Sequence, residues 1–198
     1  LQTSCIQAFP NIVNQLLDAE VLRRRFPKSS LWGMAPLFEP SETQALVDVV
    51  SGACLMIKRR IFEDVGLFSE NYFMYSEDVD LCFKVRKAGW ETYFVPKAVV
   101  VHHGGASSSQ SKANVFSGVM MLEARWRFFR KTRSVFYCWS YRFGMFVSSI
   151  TRMVFILSFW PFRRFMKSYP SSGSILSKWM ARLRWTVGGE KWVKDYGG

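Results

Sequence analysis

The stretch NYFMYSEDVDLCFKVRKAGW, Asn71–Trp90, places Ser76, Glu77, Asp78 and Asp80 within five positions. Aromatic residues precede them and an amphipathic run follows. Ser76 is a favourable N-cap, and acidic residues in a first turn complement the partial positive charge at a helix start. The segment therefore predicts a helix opening at Glu77 and closed by Gly89, with Val79, Phe83 and Val85/Arg86 pointing inward or flanking. Three readings of the carboxylates stand beside one another: a helix cap, a metal site and a catalytic base. Asp78 and Asp80 spell D-V-D, but positions i and i+2 on a helix diverge by roughly 200°, which disfavours two ligands on one ion. The apolar, aromatic approach instead predicts carboxylates at the rim of a partly desolvated pocket, surroundings that strengthen a carboxylate as a base.

Working outward, the first part of the chain alternates elements. TSCIQAFPNIVNQLLDAEVLRR predicts one helix with Pro10 in its first turn and Ile12, Leu16, Ala19 and Leu22 at helical spacing. FPKSSLWGMAPLFEPSETQ, with three prolines and a glycine, predicts a loop. LVDVVSGACLMIKR predicts two short β runs around Ser51-Gly52-Ala53, and RRIFEDVGLF a short helix from Arg59 to Val65 ended by Gly66. WETYFVP and AVVVHH are β-type runs separated by Pro96. Strands alternating with helices argue for a layered α/β domain. The strands are too few for a complete doubly wound sheet, so a missing N-terminal part is expected.

The chain has 198 residues, 49% hydrophobic and 17% aromatic, which excludes a disordered chain. Its net charge of +12 is unevenly spread. Leu1–Ser111 carries 11 Lys/Arg against 12 Asp/Glu, whereas Lys112–Gly198 carries 16 against 3. The expected organisation is a near-neutral globular part, 1–111, followed by a basic, aromatic helical tail, 112–198, with the border near GGASSSQSK (Gly104–Lys112). The four scattered cysteines, Cys5, Cys54, Cys82 and Cys138, have no zinc-ligand spacing and read as buried free thiols in a reducing compartment. No secretory signal opens the sequence.

Only two histidines occur, His102 and His103, at the end of a β run and 24 residues beyond Asp78. A histidine at a strand end is commonly structural, but a doublet leading into a glycine-rich loop also suits a metal or a phosphate. The ordered set GAC (Gly52–Cys54), FMYSEDVDLC (Phe73–Cys82), AGW (Ala88–Trp90) and HHGGAS (His102–Ser107) resembles the C-terminal half of the catalytic domain of family 2 glycosyltransferases, in particular the rhamnosyltransferase-type enzymes of surface-polysaccharide assembly. The resemblance extends from Gln2 to about Lys131 and is strongest over Val50–Ser108.

The resemblance implies a partial GT-A (Rossmann-like) α/β fold and an inverting transfer of a sugar such as rhamnose from a nucleotide-sugar to a lipid-linked or surface-polysaccharide acceptor. Asp78 would be the catalytic base and Glu77 would orient acceptor or base. His102 would complete the coordination of Mg²⁺ or Mn²⁺ on the diphosphate, with His103 the weaker candidate. Gly52 and Ala53 would let backbone approach the sugar or acceptor closely; Trp90, a further substrate-binding candidate, reads more readily as packing. Two departures stand out. The family's usual GGFDE is here Gly66-Leu67-Phe68-Ser69-Glu70, which puts the local loop geometry in question. The [QR]xxRW box of processive synthases has only Leu122–Trp126 near it, without the first polar residue, which disfavours processivity. The family's base-binding strand and DxD motif belong to the N-terminal half. A rival reading is therefore a catalytically inactive membrane adaptor lacking the nucleotide half-site.

In the tail, Val135–Phe165 is apolar but interrupted by Arg142 and Arg152, and its longest uncharged run, Met153–Phe162, is half the ~20 residues a spanning helix needs. Interfacial amphipathic helices with basic clusters on anionic lipid fit better, at the cytoplasmic face of the membrane. The same composition argues against nucleic acid as a partner.

Overall fold

A computed structural model describes residues 5–17, 20–39, 41–102, 111–158 and 172–196. The chain divides into two compact units, Leu1–His103 and Gly104–Gly198.

The first unit mixes short helices and strands. β1 (Ile6–Gln7) leads to Pro10 and then to Asn11, which caps α1 (Ile12–Leu16). Asn11 and Asn14 exchange side-chain to backbone hydrogen bonds, each 2.9 Å. Asn14 is buried, and its amide donates to the carbonyls of Phe9 and Leu31. The single helix expected here is two: α1 stops at Leu16, and the chain resumes as α2 (Glu20–Arg25). Pro10 lies ahead of the cap rather than inside the helix, because asparagine's amide satisfies the first-turn donors directly. The expected loop over 26–44 carries one helical turn, α3 (Ala35–Phe38), with Pro36 near its start.

β2 (Ala45–Val47) and β3 (Val49–Val50) follow. β1 pairs with β3 in the register Ile6↔Val50, and β2 pairs with β4 (Thr92–Phe94) in the register Leu46↔Tyr93. Both ladders are antiparallel. Asp48, between β2 and β3, accepts from the Phe9 N–H at 3.1 Å and from the Arg86 guanidinium at 3.1 Å, which ties the two ladders and the following helix together. Two expected β runs are not strands. Cys54–Ile57 and Ala98–Val101 are irregular, and Met56 is 99% exposed. β-propensity expresses packing on neighbouring strands, and among the described residues neither run has a ladder partner.

α4 (Arg59–Asp64) ends at Val65 and Gly66, whose φ of +83° is the left-handed conformation a helix stop requires. α5 (Glu77–Lys87) ends likewise at Gly89, φ +85°, with the Trp90 N–H bonded back to Val85 O. α5 buries Val79, Leu81, Cys82 and Val85 against β3 and β4, and these residues with Ile6, Val47 and Val49 form the unit's core. Phe83 packs edge-on against Phe9. Burial pushes the Cys82 thiol up from its ordinary pKa. Of the four cysteines, all free, Cys82 and Cys138 are buried, but Cys54 is exposed, because the run that carries it is irregular rather than a core strand.

The second unit is helical: α6 (Ser111–Thr132), α7 (Val135–Ser158), α8 (Ser172–Thr186) and a closing 3₁₀ turn, Lys191–Tyr196. Phe128, Phe129, Tyr141, Met145, Ala181 and Trp185 make its core. Arg142 organises it. Its guanidinium donates to the carbonyls of Trp185 (2.7 Å) and Thr186 (2.8 Å), where α8 ends and carbonyls lack helical partners. It also lies 5.1–5.7 Å from the ring centroids of Trp126, Trp139 and Trp185. Burial lowers its pKa, against the opposing pull of the Glu123 carboxylate. Glu123 also accepts from Trp185 Nε1 at 2.9 Å and pairs with Arg127 at 3.1 Å. The arginine that interrupts the apolar run in the sequence is thus an internal cap for a neighbouring helix.

Candidate active site

The carboxylates stand at the N-terminal end of α5, where the backbone makes an unusual entry. Tyr75 and Ser76 both have φ of +68°, and neither is glycine. Consecutive left-handed residues of this kind cost of order 1–3 kcal/mol each and persist only where surrounding contacts over-determine them. Ser76 is the N-cap by position, and its carbonyl accepts the Asp80 N–H at 2.8 Å. The expected side-chain cap is absent: the buried Ser76 hydroxyl makes no cap hydrogen bond, because its left-handed backbone departs from the extended conformation of a capping serine.

The contacts that hold this entry converge on Asp80. Its carboxylate is fully buried and accepts from Ser69 Oγ at 2.6 Å and Tyr72 OH at 3.4 Å, with Lys84 Nζ 3.8 Å away on the next turn of α5. Lys84 in turn donates to the carbonyls of Gly66 and Leu67 and to Ser69 Oγ. The loop from Gly66 to Tyr72 is therefore clamped onto α5 by one buried ion pair. Ser69, the departure from the family pattern, supplies a hydroxyl donor to the carboxylate. A second carboxylate at that position would only accept.

Asp78 points elsewhere, as the angular spacing of the D-V-D run requires. Its Oδ2 accepts the Gly52 N–H at 3.0 Å and its Oδ1 the Val79 N–H at 2.8 Å. Gly52 belongs to a turn that starts at Ser51, whose N–H is bonded to Cys5 O at 2.9 Å, and closes with Cys54 N–H on Ser51 O. The turn is thus fixed to the edge of β1 and presents an amide to Asp78. A Cβ on Gly52 would meet Asp78 Cβ at 3.6 Å, an ordinary contact, so the chain's own packing leaves room for a side chain there. Glu77 is half-buried beside Asp78, with its Oε2 enclosed by protein. Two backbone donors fix the Asp78 carboxylate in orientation and leave further lone pairs for a proton.

Gly52, Glu77 and Asp78 are brought together, and Ala53 lies in the same turn, with its N–H on Ser51 Oγ. Trp90 is not: it follows the far end of α5, whose rise separates Asp78 from Lys87 by roughly 13 Å, and it is half exposed rather than packed. His102 is exposed in the irregular segment after β4, and His103 lies outside the described residues. Among the described residues no three His, Cys, Asp or Glu side chains gather as a metal site. The described residues do not by themselves make a complete ion site. The sequence reading missed Ser69, Tyr72 and Lys84 as the clamp. The Asp80–Lys84 spacing of i, i+4 is the signal that points to it.

Comparison with known proteins gives the family. The profile of the family described as "Glycosyltransferase like family 2" matches residues 5–128. The N-acetylglucosaminyl-diphospho-decaprenol L-rhamnosyltransferase of Mycobacterium tuberculosis is 47% identical over 76 residues, 38% of this chain and 24% of that protein. The rhamnosyltransferase WbbL of Escherichia coli K12 is 28% identical over 81 residues, 41% of this chain and 27% of that protein. A low-salt glycan biosynthesis hexosyltransferase of Haloferax volcanii is 39% identical over 41 residues, 21% of this chain and 13% of that protein. The chain spans about a quarter of the length of the first of these relatives. No solved structure matches it. With more than half of its residues under the family profile, and rhamnosyltransferases among its relatives, the chain belongs to the glycosyltransferases of family 2 and is rhamnosyltransferase-like.

Proposed function

We propose that this chain carries the acceptor-side half of an inverting glycosyltransferase of GT-A fold, which moves a sugar such as rhamnose from a nucleotide-sugar to a lipid-linked glycan. The observation that carries the reading is the Asp78 carboxylate, oriented by the Gly52 N–H at the strained start of α5 with Glu77 beside it. In the proposed step the acceptor hydroxyl oxygen forms a bond to the anomeric carbon as the bond to the nucleotide diphosphate breaks on the opposite face. The hydroxyl proton passes to Asp78. Glu77 orients the acceptor, and Gly52 and Ala53 leave space for it. The relatives support this choice, since one is named for transfer onto a decaprenol-linked sugar. His102 is our proposed ligand for Mg²⁺ or Mn²⁺; one imidazole is not a site, so no step is routed through the ion.

Asp78→Asn tests the base. In the complete protein the amide preserves shape and an acceptor for Gly52, so nucleotide-sugar binding, read as a thermal shift, should persist while transfer falls by about 10²–10⁴-fold. Unchanged turnover would remove Asp78 from the role. No shift and no donor turnover with any nucleotide-sugar and Mn²⁺ would favour the inactive adaptor.

For Lys112–Gly198 we propose peripheral or interfacial association with an anionic membrane, at the cytoplasmic face where a nucleotide-sugar is available. Its 16 Lys/Arg against 3 Asp/Glu support this. No helix among the described residues is long and apolar enough to cross a membrane. Flotation of the chain with anionic vesicles at low salt is the test.

A further inference from the structure

α7 carries two faces of opposite character. Cys138, Tyr141, Met145, Ser149 and Ile156 are buried against the rest of the helical unit. The other face holds Phe136, Trp139, Phe143, Val147, Ile150 and Val154, spaced by three or four residues, and continues to Leu157; these side chains are 39% to 82% exposed. At 1.5 Å per residue the stripe runs roughly 30 Å. At about 200 Å² per aromatic side chain and somewhat less per aliphatic one it exposes on the order of 700 Å², above the largest patch of an ordinary soluble monomer. α7 contains no Asp or Glu at all.

The helix's two arginines do not interrupt this stripe. At 100° per residue Arg142 and Arg152 lie about 100° and 180° from Phe143 around the axis. Arg142 is spent on the end of α8, and Arg152 lies 4.6 Å from the Trp179 ring. Exposed cations instead stand at the entrance of α7, Arg130, Lys131 and Arg133, and on α8 at Lys178.

Charge selects the occupant. A second copy docked through the same segment would set the 16 Lys/Arg of Lys112–Gly198 against the same 16, with only 3 acidic residues in that segment, of which Glu123 and Glu190 are already paired to Arg127 and Arg184. An apolar stripe with exposed cations at its N-terminal entrance instead complements acyl chains beneath anionic headgroups. We infer that α7 is a monotopic docking helix, lying in the plane of an anionic bilayer with its Phe136–Leu157 face at the headgroup–acyl boundary and both arginines turned toward protein. This rests on the proposed membrane association and specifies the face that makes it.

The test uses the 198-residue chain and phosphatidylcholine vesicles containing about one-third phosphatidylglycerol. Phe143→Glu with Ile150→Glu should weaken vesicle binding about a hundredfold, whereas Met121→Glu, which adds a like charge on α6, should change it less than about threefold. Circular dichroism establishes that each variant is folded. As a second measurement needing only a conservative change, brominated lipids should quench the parent chain more than Trp139→Phe. Failure of the parent chain to bind vesicles overturns the membrane reading itself. Parent binding that survives the paired glutamates, with quenching unchanged in Trp139→Phe, overturns the assignment of α7 alone. A lipid-free dimer that the glutamates convert to monomer overturns it in favour of a second copy.

Discussion

Replacing Asp80 by alanine removes the acceptor on which the loop before α5 is clamped. The carboxylate is fully buried, and the Lys84 side chain 3.8 Å away is only 17% exposed. Removing one partner of a buried ion pair costs about 3–5 kcal/mol, and a hydrogen bond to a charged group is worth about 1.5–3 kcal/mol. Lys84 retains the carbonyls of Gly66 and Leu67 as acceptors and some contact with water. The loss should therefore lie at the low end, about 3 kcal/mol. Asp80→Asn keeps the shape and an acceptor for Ser69 but not the charge, and should cost about half as much. Lys84→Met combined with Asp80→Ala should be less costly than the sum of the two by about 1–2 kcal/mol. Equilibrium urea unfolding followed by circular dichroism gives all three values, provided the denaturant slope is unchanged. The clamp also fixes where α5 begins, so turnover should fall in Asp80→Ala although Asp78 is untouched. A loss under about 1 kcal/mol, or additive single and double variants, would refute the reasoning.

Three further outcomes are expected. Gly52→Ala should alter stability by less than about 1 kcal/mol, since its Cβ meets Asp78 only at ordinary distance, yet lower transfer if substrate occupies that space; unfolding midpoints and kinetics with a common preparation separate the two. Ser76→Val places a β-branched residue at φ +68° in a buried position and should cost about 2–3 kcal/mol, whereas Ser76→Gly should stay within about 1 kcal/mol of the parent, both read by thermal unfolding. Arg142→Met should lose about 2–4 kcal/mol in urea unfolding of the helical unit, since two carbonyls at the end of α8 lose a charged donor and three indole rings a cation.

Much of the local structure around the candidate site was legible in the linear sequence because its signals are local. The ends of α4 and α5 follow from Gly66 and Gly89, whose left-handed conformations only a few neighbouring residues determine. The D-V-D run could be set aside as a chelate from helical periodicity alone, and the structure turns Asp78 and Asp80 to different partners. What failed was the assignment of strands to Cys54–Ile57 and Ala98–Val101, because a β-type run becomes a strand only beside another strand. Ser76 shows the same limit at one residue: its place at the helix start was readable, but not the left-handed turn that takes its hydroxyl away from the cap.

The sequence by itself determined the family, the order of motifs, the start of α5 and the uneven division of charge, all properties of residue type and spacing. Only the tertiary structure decided what long-range contacts decide. It brings Gly52 to Asp78 across 26 residues and lets Asp80 gather Ser69, Tyr72 and Lys84. It also turns Arg142 inward onto the end of α8, clear of the exposed apolar stripe of α7. Periodicity shows which side chains share a face, but the packing of neighbouring helices decides which face meets water.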